Sequence, residues 1–348
     1  MTAQDGKKPA TGRRRALMLA GGVAGAAAAY GVATQLRHPT KSHREPDGRF
    51  RTLTLHWPHA DRDPVLIVAR ERGFFANYSL DVKTPGETPT GNSAISEVAQ
   101  DRAVGAVAPA LSWLPRLHDG TPAKLVAGLT AGSFRVLVRV KSGVTRLESI
   151  VGKTIATTDE DSADRRFFSV LLRRKGIDAD RSVNWTLLPM NEVSGALASG
   201  DIDGIVAHDP FAWTLLTAPG AGLKELAGST TGLYAERVNL VLGLTDEFLD
   251  SDPDGSVALT LALRDTCRWI AAHTDEVSTL LSHHLTDMDD DAVDAMLAHE
   301  PRPVHLLGRW LRDQMAQYAD ELKLIGRLPD ALDSGAFAKS ICRNVLHV

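Results

Sequence analysis

Residues 53–83 read LTLHWPHADRDPVLIVARERGFFANYSLDVK and contain the pattern that decides the fold. The first five residues alternate apolar and polar side chains, which predicts a half-buried strand. Asp63 followed by Pro64 is typical of a helix N-terminus, and this helix is expected to run to about residue 76. A second strand is predicted over Leu80–Lys83. A strand, a helix and a strand in this order indicate the start of an α/β sheet.

The same alternation of strands and helices continues along the chain. Helices are predicted over 92–102, 164–175 and 192–199, and over nearly all of the chain after residue 256. Further strands are predicted over 104–107, 125–129, 134–140, 154–157, 183–188, 203–207 and 238–243. Two successive series of this kind predict two α/β domains, each with a mostly parallel sheet flanked by helices.

Length and composition agree with two domains and exclude several classes of protein. A chain of 348 residues is about twice the size of a common domain. A hydrophobic content of 43% with 24% charged residues excludes disordered and multi-span membrane proteins. The net charge of −4 shows no basic excess, so no nucleic-acid partner is expected. The two cysteines, Cys267 and Cys342, either pair or remain buried thiols, and we favour thiols because free cysteine is commonly buried.

The N-terminal 33 residues have the features of an export signal. Five basic residues precede an uncharged Ala- and Gly-rich stretch from Ala16 to Val32, which is too short and too weakly apolar for a typical membrane span. Small residues near Ala33 suit cleavage by a signal peptidase. The arginine run is similar to a twin-arginine signal, although no bulky aromatic residue follows it. We expect cleavage and a periplasmic protein, with residues 34–50 as a linker; an uncleaved anchor is the alternative.

Four segments together carry a resemblance to a known family. Residues 69–82 read ARERGFFANYSLDV, residues 151–156 read VGKTIA, and residues 176–178 read GID. Residues 196–204 read ALASGDIDG and precede the sequence HDP at 208–210. Each motif is weak alone, but their order and spacing resemble the periplasmic substrate-binding proteins of nitrate, sulfonate, taurine and thiamine-precursor importers.

This resemblance implies a type II periplasmic-binding-protein fold with two lobes and two hinge crossings. The first lobe is expected to comprise residues 52–134 plus 241–348, and the second lobe residues 135–240. The family binds a small organic solute or oxyanion between the lobes and closes on it by hinge motion. It delivers the solute to an ABC permease and its ATPase. The resemblance therefore implies a monomeric, extracytoplasmic solute-binding protein without catalytic activity or cofactor.

Candidate ligand-binding residues follow the predicted strand ends, because open α/β sheets bind ligands beyond the carboxyl ends of their strands. Trp57 would stack on a planar ligand or belong to the core. Arg135 would meet an anion or remain a solvated surface charge. The candidates from the first lobe and the crossing are His56, Trp57, Asn92, Pro109, Ser133 and Arg135. Those from the second lobe are Thr158, Asp161, Ser162, His208 and Asp209.

The loop before the helix at about residue 163 departs from what an anion-binding family leads us to expect. Helix N-termini attract anions, but this loop carries Asp159, Glu160 and Asp161. These acids are expected to cap the helix and to repel nitrate or a sulfonate, or else to favour an amine-bearing ligand. A pyrimidine-type ligand therefore stays an alternative to the oxyanion.

Two other functions remain open at this stage. A periplasmic sensor subunit would bind a ligand with the same fold and pass a signal to a partner. Some relatives resemble pyrimidine-precursor synthases, but those carry a cysteine-rich motif that this chain lacks. His56, His59, His208 and Asp209 do not form a recognised metal-ligand spacing, so no metal is predicted.

Overall fold

The structure is a computed structural model that describes residues 48–86, 88, 90–302 and 306–347. The expected export signal, and the linker up to residue 47, lie outside the described residues. Within the described part, no helix is both long enough and apolar enough to cross a membrane.

The first sheet contains five strands in the order β2-β1-β3-β10-β4. Its strands are β1 (Arg51–His56), β2 (Leu80–Lys83), β3 (Gly105–Pro109), β4 (Ala123–Ala131) and β10 (Val238–Thr245). Strand β1 pairs in parallel with β2 and with β3, whereas β10 is antiparallel to both β3 and β4. Strand β10 thus lies between two strands that precede it by more than a hundred residues.

The second sheet repeats this arrangement in the order β7-β6-β8-β5-β9. Its strands are β5 (Phe134–Arg139), β6 (Thr154–Thr157), β7 (Asn184–Leu187), β8 (Gly204–His208) and β9 (Leu223–Gly228). Strand β6 pairs in parallel with β7 and β8, and β5 is antiparallel to β8 and β9. Each sheet is therefore mixed, and the prediction of mostly parallel sheets was wrong for half of the pairings. Strand β9 was not predicted.

Fourteen α-helices flank these sheets in the described part of the chain. Those up to residue 217 are α1 (Pro64–Glu71), α2 (Phe74–Asn77), α3 (Gly91–Ala99), α4 (Ala110–His118), α5 (Ala163–Arg173), α6 (Ala179–Ser182), α7 (Met190–Ser199) and α8 (Phe211–Thr217). The C-terminal ones are α9 (Asp246–Ser251), α10 (Pro253–Ala272), α11 (Thr274–Ser282), α12 (Asp290–His299), α13 (Gly308–Leu324) and α14 (Ser334–Ile341). The helical C-terminus predicted from residue 256 is confirmed.

Local sequence signals explain where several helices begin and end. Asp63 caps α1 by accepting a hydrogen bond from the Leu66 amide at 3.0 Å, and Pro64 occupies the first turn, as predicted. Gly176 lies three residues beyond α5 with φ +77°, a conformation that favours glycine. These signals fix helix positions before any tertiary packing is considered.

The chain passes between the two sheets twice. The first crossing is the two-residue segment 132–133 between β4 and β5, and the second is segment 229–237 between β9 and β10. Gly132 has φ +75°, and a Cβ atom there would lie 2.2 Å from Cδ of Pro301. The first crossing therefore requires glycine both for its backbone conformation and for the close approach of the C-terminal segment. Two crossings confirm the two-lobed architecture.

Separate apolar cores support the sheets. One first-lobe cluster contains Leu55, Trp57 and Leu66 beneath α1 and α10. In the second lobe, Phe168 and Ile155 pack on one face of the sheet and Val193 and Ile205 on the other. Helix-covered faces on both sides of each sheet leave the strand ends as the polar surface. This arrangement places the candidate site between the lobes.

Candidate functional site

A small pocket lies where the strand ends of the two lobes meet, and we call it the interlobe pocket. Its volume is about 80 Å³. Polar side chains from both lobes, from the first crossing and from the C-terminal segment line it. They are His59, Arg62, Asp63, Thr130, Ser133, His208, Asp209, Asn239 and Glu300. The pocket thus lies at the edge where α/β sheets place their ligands.

Two histidines face one another across this pocket. His59 follows β1 of the first sheet and His208 ends β8 of the second, and their ring centroids are 6.2 Å apart. His59 has φ +48°, in the left-handed region that non-glycine residues rarely adopt. Uncommon backbone conformations of this kind cluster at functional sites. The pair brings one imidazole from each lobe into a single site.

The two imidazoles have opposite pKa shifts. Burial, with a smaller contribution from the nearby His208, lowers the pKa of His59 to about 4. Burial also opposes protonation of His208, but Asp164, together with smaller contributions from Asp209 and Asp63, outweighs burial and raises the pKa of His208. The Nδ1 atom of His208 is 3.0 Å from Oδ1 of Asp164, in the first turn of α5. At neutral pH the pocket therefore contains a neutral imidazole opposite a more readily protonated one.

Asn239 presents an unpartnered acceptor to the pocket. Its side chain is buried, with 3% of the residue exposed, and its Nδ2 atom donates to Oγ of Ser133 at 2.5 Å. Its Oδ1 atom has no hydrogen-bond partner in the described part of the chain. A buried acceptor without a partner costs free energy, so an N–H or O–H group in the pocket would stabilise it.

Arg62 and Glu300 supply hydrogen-bond donors to the interlobe pocket. The Nη2 atom of Arg62 donates to Asp287 at 2.8 Å and to Oγ1 of Thr214 at 3.3 Å, while its buried Nε has no partner among the described residues. Burial, with smaller contributions from the carboxylates of Asp209 and Asp63, raises the pKa of Glu300 to about 8. Glu300 is therefore largely protonated at neutral pH and can donate a hydrogen bond.

Four of the eleven predicted residues line the interlobe pocket. They are Pro109, Ser133, His208 and Asp209. Asp209 is fully engaged, because Nε of Arg135 lies 2.8 and 2.9 Å from its two carboxylate oxygens. Arg135 also bonds Glu225 and stacks on Trp213, with its side chain 1% exposed. Arg135 is therefore a buried structural cation, and the alternative of a solvated surface charge was wrong.

Two other predicted residues are buried within the first lobe. Trp57 is 1% exposed and belongs to the core, one of the two roles considered for it. The Nδ1 atom of His56 lies 3.1 Å from Oγ1 of Thr88, and burial lowers the pKa of this imidazole. Of the residues that follow β1, Trp57 therefore packs in the core of the first lobe, whereas His59 lines the interlobe pocket.

The remaining predicted residues lie at the start of α3 in the first lobe and in the loop before α5 in the second, and Asn92 joins the two. Asn92 donates to Oδ2 of Asp159 at 3.0 Å and to the Asp161 carbonyl oxygen at 2.9 Å. Thr158 is half-buried in the same loop. Ser162, and not the neighbouring acids, caps α5 by accepting from the Arg165 amide at 3.0 Å. The expectation that the acids cap this helix was wrong, because Asp161 pairs with Arg166 instead.

Sequence reasoning missed several polar groups of the pocket. Arg62 and Asp63 lie in the polar loop between β1 and Pro64. The reasoning that selected residues after strand ends could therefore have included them. Asn239 lies within strand β10 and Glu300 after α12, and neither position carries a local signal for a site. Among the described residues, no group of three or more His, Cys, Asp or Glu side chains is placed to hold a metal ion. Cys267 and Cys342 are both free thiols.

Known proteins resemble this chain in fold and sequence. The alkanesulfonate-binding protein SsuA from Xanthomonas axonopodis pv. citri, bound to MOPS, superposes with a TM-score of 0.67 at 16% identity, covering 83% of this chain and 98% of that one. The periplasmic nitrate-binding protein NrtA from Synechocystis PCC 6803 gives a TM-score of 0.66 at 14% identity, covering 84% and 86%. These similarities confirm the two-lobed fold.

The similarity in sequence extends to transport proteins. The bicarbonate transport ATP-binding protein CmpC of Synechococcus elongatus is 24% identical over 300 residues, which cover 73% of this chain and 43% of that protein. The chain thus spans less than half the length of this relative. The model of the NMT1-like family matches residues 53–282, which confirms the resemblance predicted from the four motifs. The chain belongs to the NMT1-like family.

Proposed function

We propose that this chain is the extracytoplasmic solute-binding component of an ABC-type importer, and that it binds without catalysis. The observation that carries the proposal is the interlobe pocket, where His59 and His208 from the two lobes lie 6.2 Å apart between ring centroids. Relatives described as nitrate- and alkanesulfonate-binding proteins and as a bicarbonate transport component support it. The partners would be a permease and an ATPase, and the protein a monomer in the periplasm.

The proposed lobes nearly coincide with the two sheets, since only Phe134 of β5 and residues 238–240 of β10 fall on the other side of the proposed bounds. The first comprises residues 52–134 and 241–348, and the second residues 135–240, with the crossings near 132–133 and 229–237 acting as the hinge. Closure about a hinge buries a ligand between lobes, and only a ligand that contacts both lobes gains affinity from closure. His59, Asn239 and His208 are placed for such contacts.

The contacts of the pocket favour a ligand that both donates and accepts hydrogen bonds. Oδ1 of Asn239 needs a donor, and Nε of Arg62 needs an acceptor. The pocket is not strongly cationic, because Asp209 already neutralises Arg135 and Asp164 pairs with His208. A small solute that combines an acidic group with an N–H or O–H group meets these conditions better than nitrate, which has no donor.

Matched ligand pairs test this proposal. Thermal unfolding would be followed with taurine against ethanesulfonate, and with bicarbonate against nitrate, with aminopyrimidines completing the panel. A ligand present at 100 times its Kd adds about 2.7 kcal/mol to the free energy of unfolding. We expect the member of a pair that carries a donor to stabilise the protein more. Equal effects, or greater stabilisation by the member that lacks a donor, would contradict the proposed ligand class.

The site itself is tested with Asn239→Leu, measured by isothermal titration with whichever solute binds. Loss of a hydrogen bond to a buried acceptor is expected to weaken binding at least tenfold, which corresponds to about 1.4 kcal/mol. The exposed Asn184→Leu on β7 serves as the control and should leave the Kd unchanged. Equal Kd values for wild type and Asn239→Leu would place the ligand elsewhere. Stimulation of the reconstituted permease–ATPase complex by the loaded protein distinguishes an importer component from a sensor.

A further inference from the structure

A second and larger cavity lies on the flank of the first lobe, and we call it the lateral cavity. Its volume is about 660 Å³, within the range of about 300–1,000 Å³ that is common for small-molecule sites. Helices α10 and α11, the end of β4, residues 300–302 after α12, and residues 306–307 with the start of α13 form its walls. It is several times larger than the interlobe pocket.

Its walls combine apolar surface with arginine side chains. Leu129, Ile270 and Leu306 represent the apolar part. Four arginines line the cavity together with a single carboxylate, that of Glu300. Burial and two neighbouring carboxylates raise the pKa of Glu300 to about 8, so it adds little negative charge at neutral pH. The cavity therefore has an apolar interior and an excess of positive charge.

The four arginines differ in how their charge is balanced. Arg264 bonds Asp265 at 2.7 Å, and Arg268 lies 4.0 Å from the same carboxylate. Arg302 donates to the Ala271 carbonyl oxygen at 3.0 Å and to Oγ1 of Thr274 at 2.7 Å, which are both neutral groups. The guanidinium of Arg309 lies over the Trp310 ring, 5.3 Å from its centroid. The partners of Arg302 and Arg309 in these contacts are uncharged, so these contacts do not neutralise the two guanidinium charges.

From this combination we infer that the lateral cavity is a second binding site, which takes an organic anion with an apolar body. The body would lie against Leu129, Ile270 and Leu306, and the anionic group near Arg309 and Arg302. Trp310 is 47% exposed beside Arg309 and would cover part of the apolar body. The inferred ligand is a free medium-chain carboxylate or sulfonate, not the small polar solute of the interlobe pocket.

The two cavities are neighbours but remain chemically distinct. Thr130 and Glu300 line both of them. The interlobe pocket is lined by histidine, asparagine and serine side chains, whereas the lateral cavity is lined by aliphatic side chains and arginines. A substitution at a residue that lines only one of the two cavities should therefore change binding at that cavity alone.

Titration of decanoate below its micelle concentration into the purified protein tests the inference. We expect saturable binding with one decanoate per chain. Ala271→Trp fills the cavity from an exposed position at the end of α10 and should abolish binding. Ala272→Trp, the next and equally exposed residue, which does not line the cavity, should bind as wild type does.

Arg309→Gln tests the charge and keeps the inference falsifiable if Ala271→Trp fails to fold. Removing one charge-assisted contact is expected to weaken decanoate binding about tenfold, whereas the exposed Arg116→Gln should leave it unchanged. Asn239→Leu should also leave it unchanged, because Asn239 belongs to the interlobe pocket alone. Absence of saturable binding, or binding that neither Ala271→Trp nor Arg309→Gln weakens, would overturn the inference. Loss of decanoate binding in Asn239→Leu would overturn it too, without contradicting the proposed import function.

Discussion

The two lobes share one strand order but use corresponding loops differently. In each sheet a central strand pairs in parallel with two neighbours, and a strand that enters from a crossing lies antiparallel beside them. The loop after β1 lines the interlobe pocket through His59, Arg62 and Asp63. The corresponding loop after β6 instead contacts the first lobe through Asp159 and Asn92. The topology of the sheets therefore determines where these loops lie, and the side chains of each loop determine whether it lines the pocket or contacts the other lobe.

The ends of β3 and β8 show the same contrast. Strand β3 ends at Pro109 and continues directly into α4, so it contributes mostly backbone and apolar surface. Strand β8 ends at His208 and is followed by Asp209, which are held by Asp164 and Arg135 respectively. The second lobe thus lines the pocket with His208 and Asp209, which are held by ion pairs and which we call the charged wall. The first lobe lines the pocket mainly with loop residues.

The largest effect is expected from Asp209→Asn in the charged wall. Arg135 would lose the carboxylate that accepts from its Nε atom at 2.8 Å, while remaining almost completely buried. Breaking a buried ion pair on one side costs about 3–5 kcal/mol, and because Arg135 keeps its contact with Glu225 we expect the lower end of this range. Urea unfolding should show this loss in the free energy of unfolding. Asp250→Asn, in the exposed pair with Arg343, should cost at most about 1 kcal/mol; equal losses in the two variants would mean that the buried pair of Arg135 with Asp209 stabilises the fold no more than an exposed pair does.

A smaller effect is expected from Asn92→Ala, which removes the contact between the first lobe and the loop after β6. The lost hydrogen bonds reach Asp159 and the Asp161 carbonyl oxygen, and a hydrogen bond to a charged group is worth about 1.5–3 kcal/mol. Because this contact joins the lobes, we expect a roughly tenfold faster release of the bound solute in stopped-flow measurements. Asn77→Ala, an exposed asparagine at the end of α2, is the control. An unchanged release rate would show that this contact does not hold the lobes together.

The regular elements were largely predictable from the sequence, because their signals are local. Asp63 with Pro64 placed α1, and alternation placed β1 and β2. The antiparallel pairings were not predictable, because β10 inserts between β3 and β4 only after the chain has returned from the second lobe. Strand β9 has the sequence LKELAG, which lacks regular alternation.

The candidate site was predictable only in part, for a similar reason. His208 and Ser133 follow from strand-end reasoning. Arg135 and Asp209 were expected to meet a ligand, yet they satisfy one another, which depends on pairing between residues 74 positions apart. Asn239 and Glu300 reach the pocket through the tertiary packing of β10 and of the C-terminal segment. No local pattern around either residue distinguishes it from a structural position.

The smallest effect concerns the opposite pKa shifts of the two histidines. The folded pKa of His208 is raised, mainly by Asp164 against the effect of burial. Its stabilising contribution is therefore fully present below a pH of about 6.5 and is lost as the pH rises through the folded pKa. His59 has its pKa lowered to about 4, so it destabilises the fold as the pH falls from about 6.5 to 4.

Imidazole NMR titration of the wild type checks both directions in one sample. His59 should remain neutral until the pH approaches 4, whereas His208 should titrate above the ordinary value of 6.5. Asp164→Asn should lower the pKa of His208 by more than that of His59, because Asp164 is the main raising influence on His208 and only a minor one on His59. If both imidazoles titrated near 6.5, the first and second lobes would not create different environments at the pocket.

A crystal structure of the protein with the tightest-binding solute of the ligand panel would show whether the interlobe pocket is the binding site. We expect the solute to lie between His59 and His208, with one of its donors on Oδ1 of Asn239 and one of its acceptors near Nε of Arg62. A solute found away from both histidines, with Asn239 Oδ1 still unpartnered, would show that the interlobe pocket is not the binding site.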